Sequence, residues 1–232
     1  MGIEIRNDTP NGDGPSADRR GRRRMSRRAL LALAVLFEGG LLVLAVVLGR
    51  LLGMPLGERL RPTAGQWLLG LAATLPLLLA LAWALRSERS FVRRLREGIA
   101  ELVDRALLEA RLVDLVIIAV LAGLGEEALF RGILQPLLAG PLGPWAGNAG
   151  AALAFGLAHP ISAVYVVYAT AVGLYLGALM ELGGGLLAPV VTHAAYDLIA
   201  LVWLVSRRRR QLRRRPIAPA STDPDPPPRP TD

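Results

Sequence analysis

Residues 112–139 read LVDLVIIAVLAGLGEEALFRGILQPLLA. As a helix, this stretch is long enough to cross a hydrocarbon layer of ~30 Å, which takes about 20 residues. Yet it carries Glu126, Glu127 and Arg131 near its middle. An ionisable group at that depth costs about 2.5–3.5 kcal/mol on insertion scales, so each one needs compensation. Glu127 and Arg131 stand four apart with the acid on the N-terminal side, a spacing that puts them on one helix face as an ion pair. Glu126 is turned by roughly 100° from its neighbour and has no partner within the helix. It is expected to face a polar cavity or a polar group of another helix, or to hold a proton. A carboxyl group so placed suits general-base work on water.

Five further apolar stretches surround this one, at about 29–48, 65–85, 145–158, 162–180 and 186–205. The stretch at 145–158 is shorter than a full crossing, and Pro160 follows it. Gly and Pro at 140–144 and the triplet Gly183, Gly184, Gly185 mark turns. The expected fold is therefore all-α, a polytopic membrane helical bundle of about six transmembrane helices with its catalytic core in the last four. Residues 1–28 are expected to be a disordered basic N-terminus. Residues 29–112 hold two spans and an amphipathic helix at the cytoplasmic surface (86–112), for which a solvated helical linker is the alternative. Residues 113–205 hold the catalytic core, and 206–232 a basic, Pro-rich disordered tail. The polar leader is long and no small-residue cleavage site follows the first apolar run, so a signal peptide is not expected.

Charge supports the same layout. The chain carries 27 basic residues, all Arg, against 19 acidic ones, for a net charge of +8. The Arg runs at 19–28, 86–96 and 207–215 flank apolar segments. That is the pattern of cytoplasmic loops, so no nucleic-acid partner is expected and both termini are assigned to the cytoplasm of a multi-pass cell-membrane protein. The loops at 50–64, 140–144 and 181–185 then face outward with only Arg50, Arg59 and Arg61. The absence of Cys excludes a disulfide scaffold, a thiol nucleophile and a Cys-ligated metal.

Four more ionisable residues lie in or at the ends of the apolar stretches: Glu38, His159, His193 and Asp197, including both His of the chain. Singly, a buried His is most often a hydrogen-bonded core residue, and an intramembrane Glu can be a packing polar group. Together, one unpaired Glu and two His on three helices are the minimum set for activating a water and stabilising an oxyanion. His193 and Asp197 are four apart, so Asp197 would either orient the imidazole or join it in facing one substrate oxygen. Glu38 has no partner motif and reads as structural or cavity-lining. For the small-xxx-small pair Gly173 and Gly177, helix packing is a sufficient reading.

Three runs, Glu126-Glu127-x-x-x-Arg131, Phe155-x-x-x-His159 and His193-x-x-x-Asp197, resemble in order the signature of the CPBP family. These are intramembrane glutamic-type proteases, also called the Abi or CAAX-protease family, which includes the Rce1-like prenyl-protein endopeptidases. The resemblance covers about residues 113–205. It implies an endopeptidase in which Glu126 and His159 activate water, His193 and Asp197 hold the scissile carbonyl or oxyanion, and Glu127 with Arg131 is structural support. Many members have Asn where this chain has Asp197. An ionised carboxylate cannot donate a hydrogen bond, so orienting His193 is the role expected of it. No cofactor is expected. The alternative is zinc held by Glu126, His159 and His193, the ground on which the family was long labelled metalloprotease.

The implied partners are the lipid bilayer and a membrane protein or lipidated peptide as substrate: a C-terminally anchored protein, a bacteriocin leader peptide or an anchored surface protein. The Arg-, Ala-, Leu- and Gly-rich composition suggests a high-GC bacterium, where prenylated CAAX substrates are not expected. A proton-coupled membrane transporter is the second reading, since intramembrane Glu, His and Asp also mark proton paths. It would bring internal repeats, and none is visible. A non-catalytic immunity or binding protein on the same fold is the third.

Overall fold

A computed structural model describes residues 25–60 and 62–214, and the disorder expected of 1–24 and 215–232 lies outside them. Among the described residues the order is α1 (Arg27–Leu51), α2 (Leu56–Leu60), α3 (Ala64–Arg86), α4 (Ser90–Leu102), α5 (Leu112–Leu129), α6 (Gln135–Leu142), α7 (Pro144–Leu157), α8 (Ala163–Gly183) and α9 (Leu187–Arg213). A π-helical turn at Val103–Leu107 extends α4, and a second at Phe130–Leu134 joins α5 to α6.

Helix starts and stops follow short-range chemistry. Ser26, Thr63 and Ser162 stand in extended backbone, and each side-chain oxygen accepts from the amide three residues on at 3.2 Å. Each thus satisfies one donor that a helix start leaves free, opening α1, α3 and α8. Gly184, at φ +67°, ends α8 in the left-handed conformation that favours glycine, and its amide donates to the Met180 carbonyl at 3.0 Å.

Helix α9 lies between α3 and α5, and α1 covers the far side of α5. α6, α7 and α8 pack in succession beside them, with the second π turn against α7. Small residues set the close approaches. Gly70 of α3 meets Val191 and the Ala188 carbonyl of α9, and Gly123 of α5 meets Ala194. The hydroxyls of Thr74 and Thr192 both donate to the Gly70 carbonyl, at 3.0 and 2.9 Å. The Gln66 side chain donates to the Gly183 carbonyl at 2.5 Å and accepts from the Ala188 amide at 3.1 Å, tying α3 to the α8–α9 turn.

Four of these helices, α1, α3, α8 and α9, are long and apolar enough to cross a membrane. The apolar stretch of α9 is 50% buried inside the bundle against 11% for α1, so α9 is the central helix and α1 a peripheral one. Leu36, Phe37 and Val43 of α1 and Leu68, Leu71, Leu75 and Leu79 of α3 point outward. Rows of large exposed apolar side chains on such helices belong against lipid, so this is a membrane protein built as a helical bundle. The remaining two of the six expected crossings fall on α5–α6, continuous from 112 to 142 and interrupted by charge, and on α7, whose 14 residues are fewer than a crossing takes.

One end of the bundle is closed by arginines. Arg27 holds Asp114 through two bonds of 2.5 and 2.7 Å, Arg208 pairs with Asp104, and Arg209 donates to the carbonyls of Leu108 and Ala110. These contacts explain why α9 runs on to Arg213, past the expected boundary at 205. Within 86–112, α4 and its π turn bury Val92, Leu95, Val103, Ala106 and Leu107 and leave Arg93 and Arg94 exposed.

Two glycines test this packing. A Cβ at Gly70 would lie 2.7 Å from Val191 Cβ and 2.8 Å from the Ala188 carbonyl oxygen, whereas one at Gly40 would meet nothing within 4 Å. Gly70→Val is expected to lower stability by about 1–3 kcal/mol in detergent-solubilised thermal unfolding. Gly40→Ala is expected to be neutral or stabilising by up to about 1 kcal/mol.

Candidate active site

The acid pair sits where α5 gives way to the π turn, against the end of α7 and the middle of α9. Arg131 and Glu127 are fully buried, and Arg131 Nη1 donates to Glu127 Oε1 at 2.9 Å. Arg131 Nη2 donates to the Gly173 carbonyl at 3.0 Å, and the guanidinium carbon lies 4.4 Å from the centre of the Phe155 ring. A buried guanidinium stripped of these contacts would be very costly, so they bind α5, α7 and α8 to one arrangement.

Glu127 has a second task. Its Oε1 also lies 2.8 Å from His193 Nδ1 of α9. With Oε1 accepting from Arg131, the imidazole nitrogen is the donor, and His193 Nε2 is turned toward the other acids. There it stands 4.0 Å from Glu126 Oε2 and 3.5 Å from Asp197 Oδ2. The tight bond that sets the ring's orientation thus comes from Glu127, across helices. Asp197, expected to do this from its i+4 position, stands at the looser distance and is the most exposed of the group at 31%.

His159 lies just beyond the end of α7, its amide donating to the Gly156 carbonyl at 3.0 Å. Its Nδ1 is 2.8 Å from the Phe155 carbonyl. A carbonyl only accepts, so Nδ1 carries the hydrogen, and Nε2 faces Glu126 Oε2 at 3.6 Å. That is too long for a direct hydrogen bond. The Phe155 ring lies 4.6 Å from the His159 ring and holds it from one side. The Phe-x-x-x-His spacing therefore serves twice, through the phenylalanine's carbonyl and through its ring.

The structure brings together all six residues singled out on α5, α7 and α9. Glu126, His159, His193 and Asp197 line one cavity of about 70 Å³, room for a few waters, while Glu127 and Arg131 lie behind it. The far wall comes from Leu77 of α3, from Ala169, Val172 and Leu176 of α8, and from three tyrosines. Tyr165, Tyr168 and Tyr196 were not singled out in the sequence, although three of its four Tyr lie here and Tyr196 adjoins Asp197. The hydroxyls of Tyr168 and Tyr196 bond to each other. Gly173 and Gly177 do more than pack. Their carbonyls accept from Arg131 and from Gln135 Nε2, the latter at 3.2 Å, and a Cβ at Gly173 would stand 3.2 Å from the guanidinium.

A tetrahedral zinc with bonds of ~2.0–2.2 Å would space its donors by about 3.3 Å. The two imidazole Nε2 atoms stand 3.6 and 4.0 Å from Glu126 Oε2, both wider. Among the described residues no group of three His, Asp or Glu is arranged to hold a metal ion.

Residues 108–199 match the model of the family described as Type II CAAX prenyl endopeptidase Rce1-like. All three motifs lie within the matched segment, and α1 and α3 lie outside it. No curated protein and no solved structure matches.

Replacing Glu127 with Ala would leave Arg131 uncompensated and His193 without its anchor. Glu127→Ala is expected to cost about 3–5 kcal/mol and to cut the yield of folded protein sharply, as measured by size-exclusion recovery in detergent. Normal recovery of an inactive Glu127→Ala protein would instead assign Glu127 a role in the chemistry alone.

Proposed function

We propose that this chain, whose residues 108–199 match the Rce1-like family model, is an intramembrane endopeptidase of the CPBP family that uses water activated by Glu126 and His159. The observation that carries the reading is the facing of two acceptors. With Nδ1–H committed to the Phe155 carbonyl, the neutral His159 ring presents a lone pair at Nε2, and a carboxylate oxygen of Glu126 lies 3.6 Å away in a partly enclosed cavity. Neither group can donate to the other in that state. A water placed beside both points one hydrogen between them and turns its oxygen lone pairs toward the cavity, where a scissile carbonyl would lie.

In the proposed reaction the water oxygen bonds to the carbonyl carbon while Glu126 takes one proton, assisted by His159. The carbonyl electron pair moves onto oxygen. His193 is flanked by Glu126, Glu127 and Asp197, and when it is protonated on both nitrogens its Nε2–H donates to that oxyanion. Asp197 sustains the charge on the ring. The intermediate collapses with cleavage of the C–N bond as the proton held by Glu126 passes to the leaving nitrogen.

The cavity wall of Leu77, Val172, Leu176 and the tyrosine rings favours an apolar segment. Substrates are therefore membrane-associated, lipidated or C-terminally anchored proteins. The gathering of the α1 start, the 103–114 segment and the α9 end into one Arg-rich face supports a cytoplasmic placing of both termini. The reaction is drawn without a metal.

Membrane proteomes of cells carrying the wild-type chain or Glu126→Gln are expected to differ in uncleaved termini, and the accumulating protein is the substrate. On a peptide from that protein, Glu126→Gln and His159→Ala are each expected to lower kcat by about 10²–10⁴-fold with membrane insertion unchanged. Full activity in either variant would end the reading. Activity that survives exhaustive chelation is expected. Loss on chelation that zinc restores would assign Glu126, His159 and His193 as ligands instead.

A further inference from the structure

Glu38 of α1 lies outside the family segment and outside all three motifs. Its helix meets α5 at one point of backbone-close contact: a Cβ built on Gly125 would stand 3.2 Å from the Glu38 carbonyl carbon and 3.5 Å from Leu41 Cβ. Gly125 immediately precedes Glu126. The close approach therefore brings Glu38 alongside the residue that carries the proposed chemistry. Among the described residues, the buried side-chain polar atoms without a protein partner gather here: Glu38 Oε2, Glu126 Oε2, Glu127 Oε2 and Arg131 Nε, with Gln135 Oε1 and Asn148 Oδ1 further along the bundle. Glu38 also feels the charges of Glu126, His193, His159 and Asp197, that of Glu126 most.

Neither an ion pair nor packing accounts for a carboxyl group in this position. The described residues include no cation bonded to it, and its neighbours in charge are the site residues. An acceptor held beside a catalytic water can take the hydrogen that the general base does not, and so fix which way the lone pairs point.

We infer that Glu38 is a positioning residue of the active site, its carboxyl group orienting the attacking water from the α1 side while Glu126 removes the proton. The inference rests on the protease reading above. In the attack step the proton that Glu126 takes leaves the water, and the second hydrogen stays on the new hydroxyl, directed at Glu38. Gly125 is the reason α1 can come near enough.

The two His of the chain are both in the site, which allows a test that needs no substrate. The full-length protein, labelled with ¹⁵N at histidine and held in detergent micelles, gives ring-nitrogen signals from His159 and His193 only. Glu38→Gln keeps size and removes charge. It is expected to displace the signals of both rings, while Glu58→Gln, on exposed α2, leaves them in place. On the substrate peptide found above, Glu38→Gln is expected to lower kcat by roughly 10- to 100-fold with KM within twofold. Glu38→Asp, which retains the carboxyl group, is expected to recover part of the rate and serves alone if the Gln variant does not fold. Unmoved ring signals, undiminished kcat, or equal loss in Asp and Gln variants would each overturn the inference. Full cleavage by Glu126→Gln would overturn the protease reading itself, whereas an inactive Glu126→Gln beside an unaffected Glu38→Gln would remove only the role of Glu38.

Discussion

Glu127 Oε1 accepts from Arg131 at 2.9 Å and from His193 at 2.8 Å, in a place where neither Glu127 nor Arg131 is exposed at all. Most of the arrangement follows from that one oxygen. A buried guanidinium is tolerable only beside a carboxylate, and its remaining donors must find acceptors. Arg131 takes a backbone carbonyl of α8, which requires that no side chain stand at Gly173. It also lies on the ring of Phe155, which fixes the distance of α7. The carbonyl of the same Phe155 then holds His159, and the other bond to Glu127 holds His193. The two imidazoles are thus aimed by a single buried ion pair, and of the two adjacent glutamates Glu126 is the one left free to face the cavity with them.

That division of labour was legible in part. The Glu127–Arg131 pair is local, since a helix of known pitch puts i and i+4 together whatever surrounds it. The meeting of the three motifs was also legible, because isolated ionisable groups in lipid need one another. The partner of His193 was not. Spacing along α9 names Asp197, but the ring turns toward an acid 66 positions earlier in the chain, and helical periodicity carries no information about contacts across helices. His159 sits past the end of the short α7, pinned to Gly156 and Phe155.

Glu38 and the tyrosines were illegible for a different reason. Glu38 approaches the site through a backbone contact at Gly125, and a glycine in an apolar run signals closeness without saying to what. Tyr165, Tyr168 and Tyr196 read as ordinary residues of apolar helices until α8 and α9 are packed together and their rings form one wall. The extension of α9 through its Arg run, likewise, depends on Asp104 and on carbonyls near the end of the first π turn, all far away in sequence.

The matched segment ends short of some of the site's own walls. Residues 108–199 hold the acid, both imidazoles and the buried ion pair, yet Leu77 of α3 closes the cavity and α1 leans on Gly125. The chemical groups are locked by charge, hydrogen bonds and close backbone contacts, interactions that a one-residue change disrupts. The α3 and α1 contributions are mostly apolar surfaces on more exposed helices, where substitutions of similar size are tolerated. Physical constraint therefore falls most heavily on the groups that would act on a peptide bond and lightly on the surfaces that, on the proposed reading, would meet the rest of a substrate. A bundle organised this way can keep one reaction while its outer helices adapt to different membrane-bound segments.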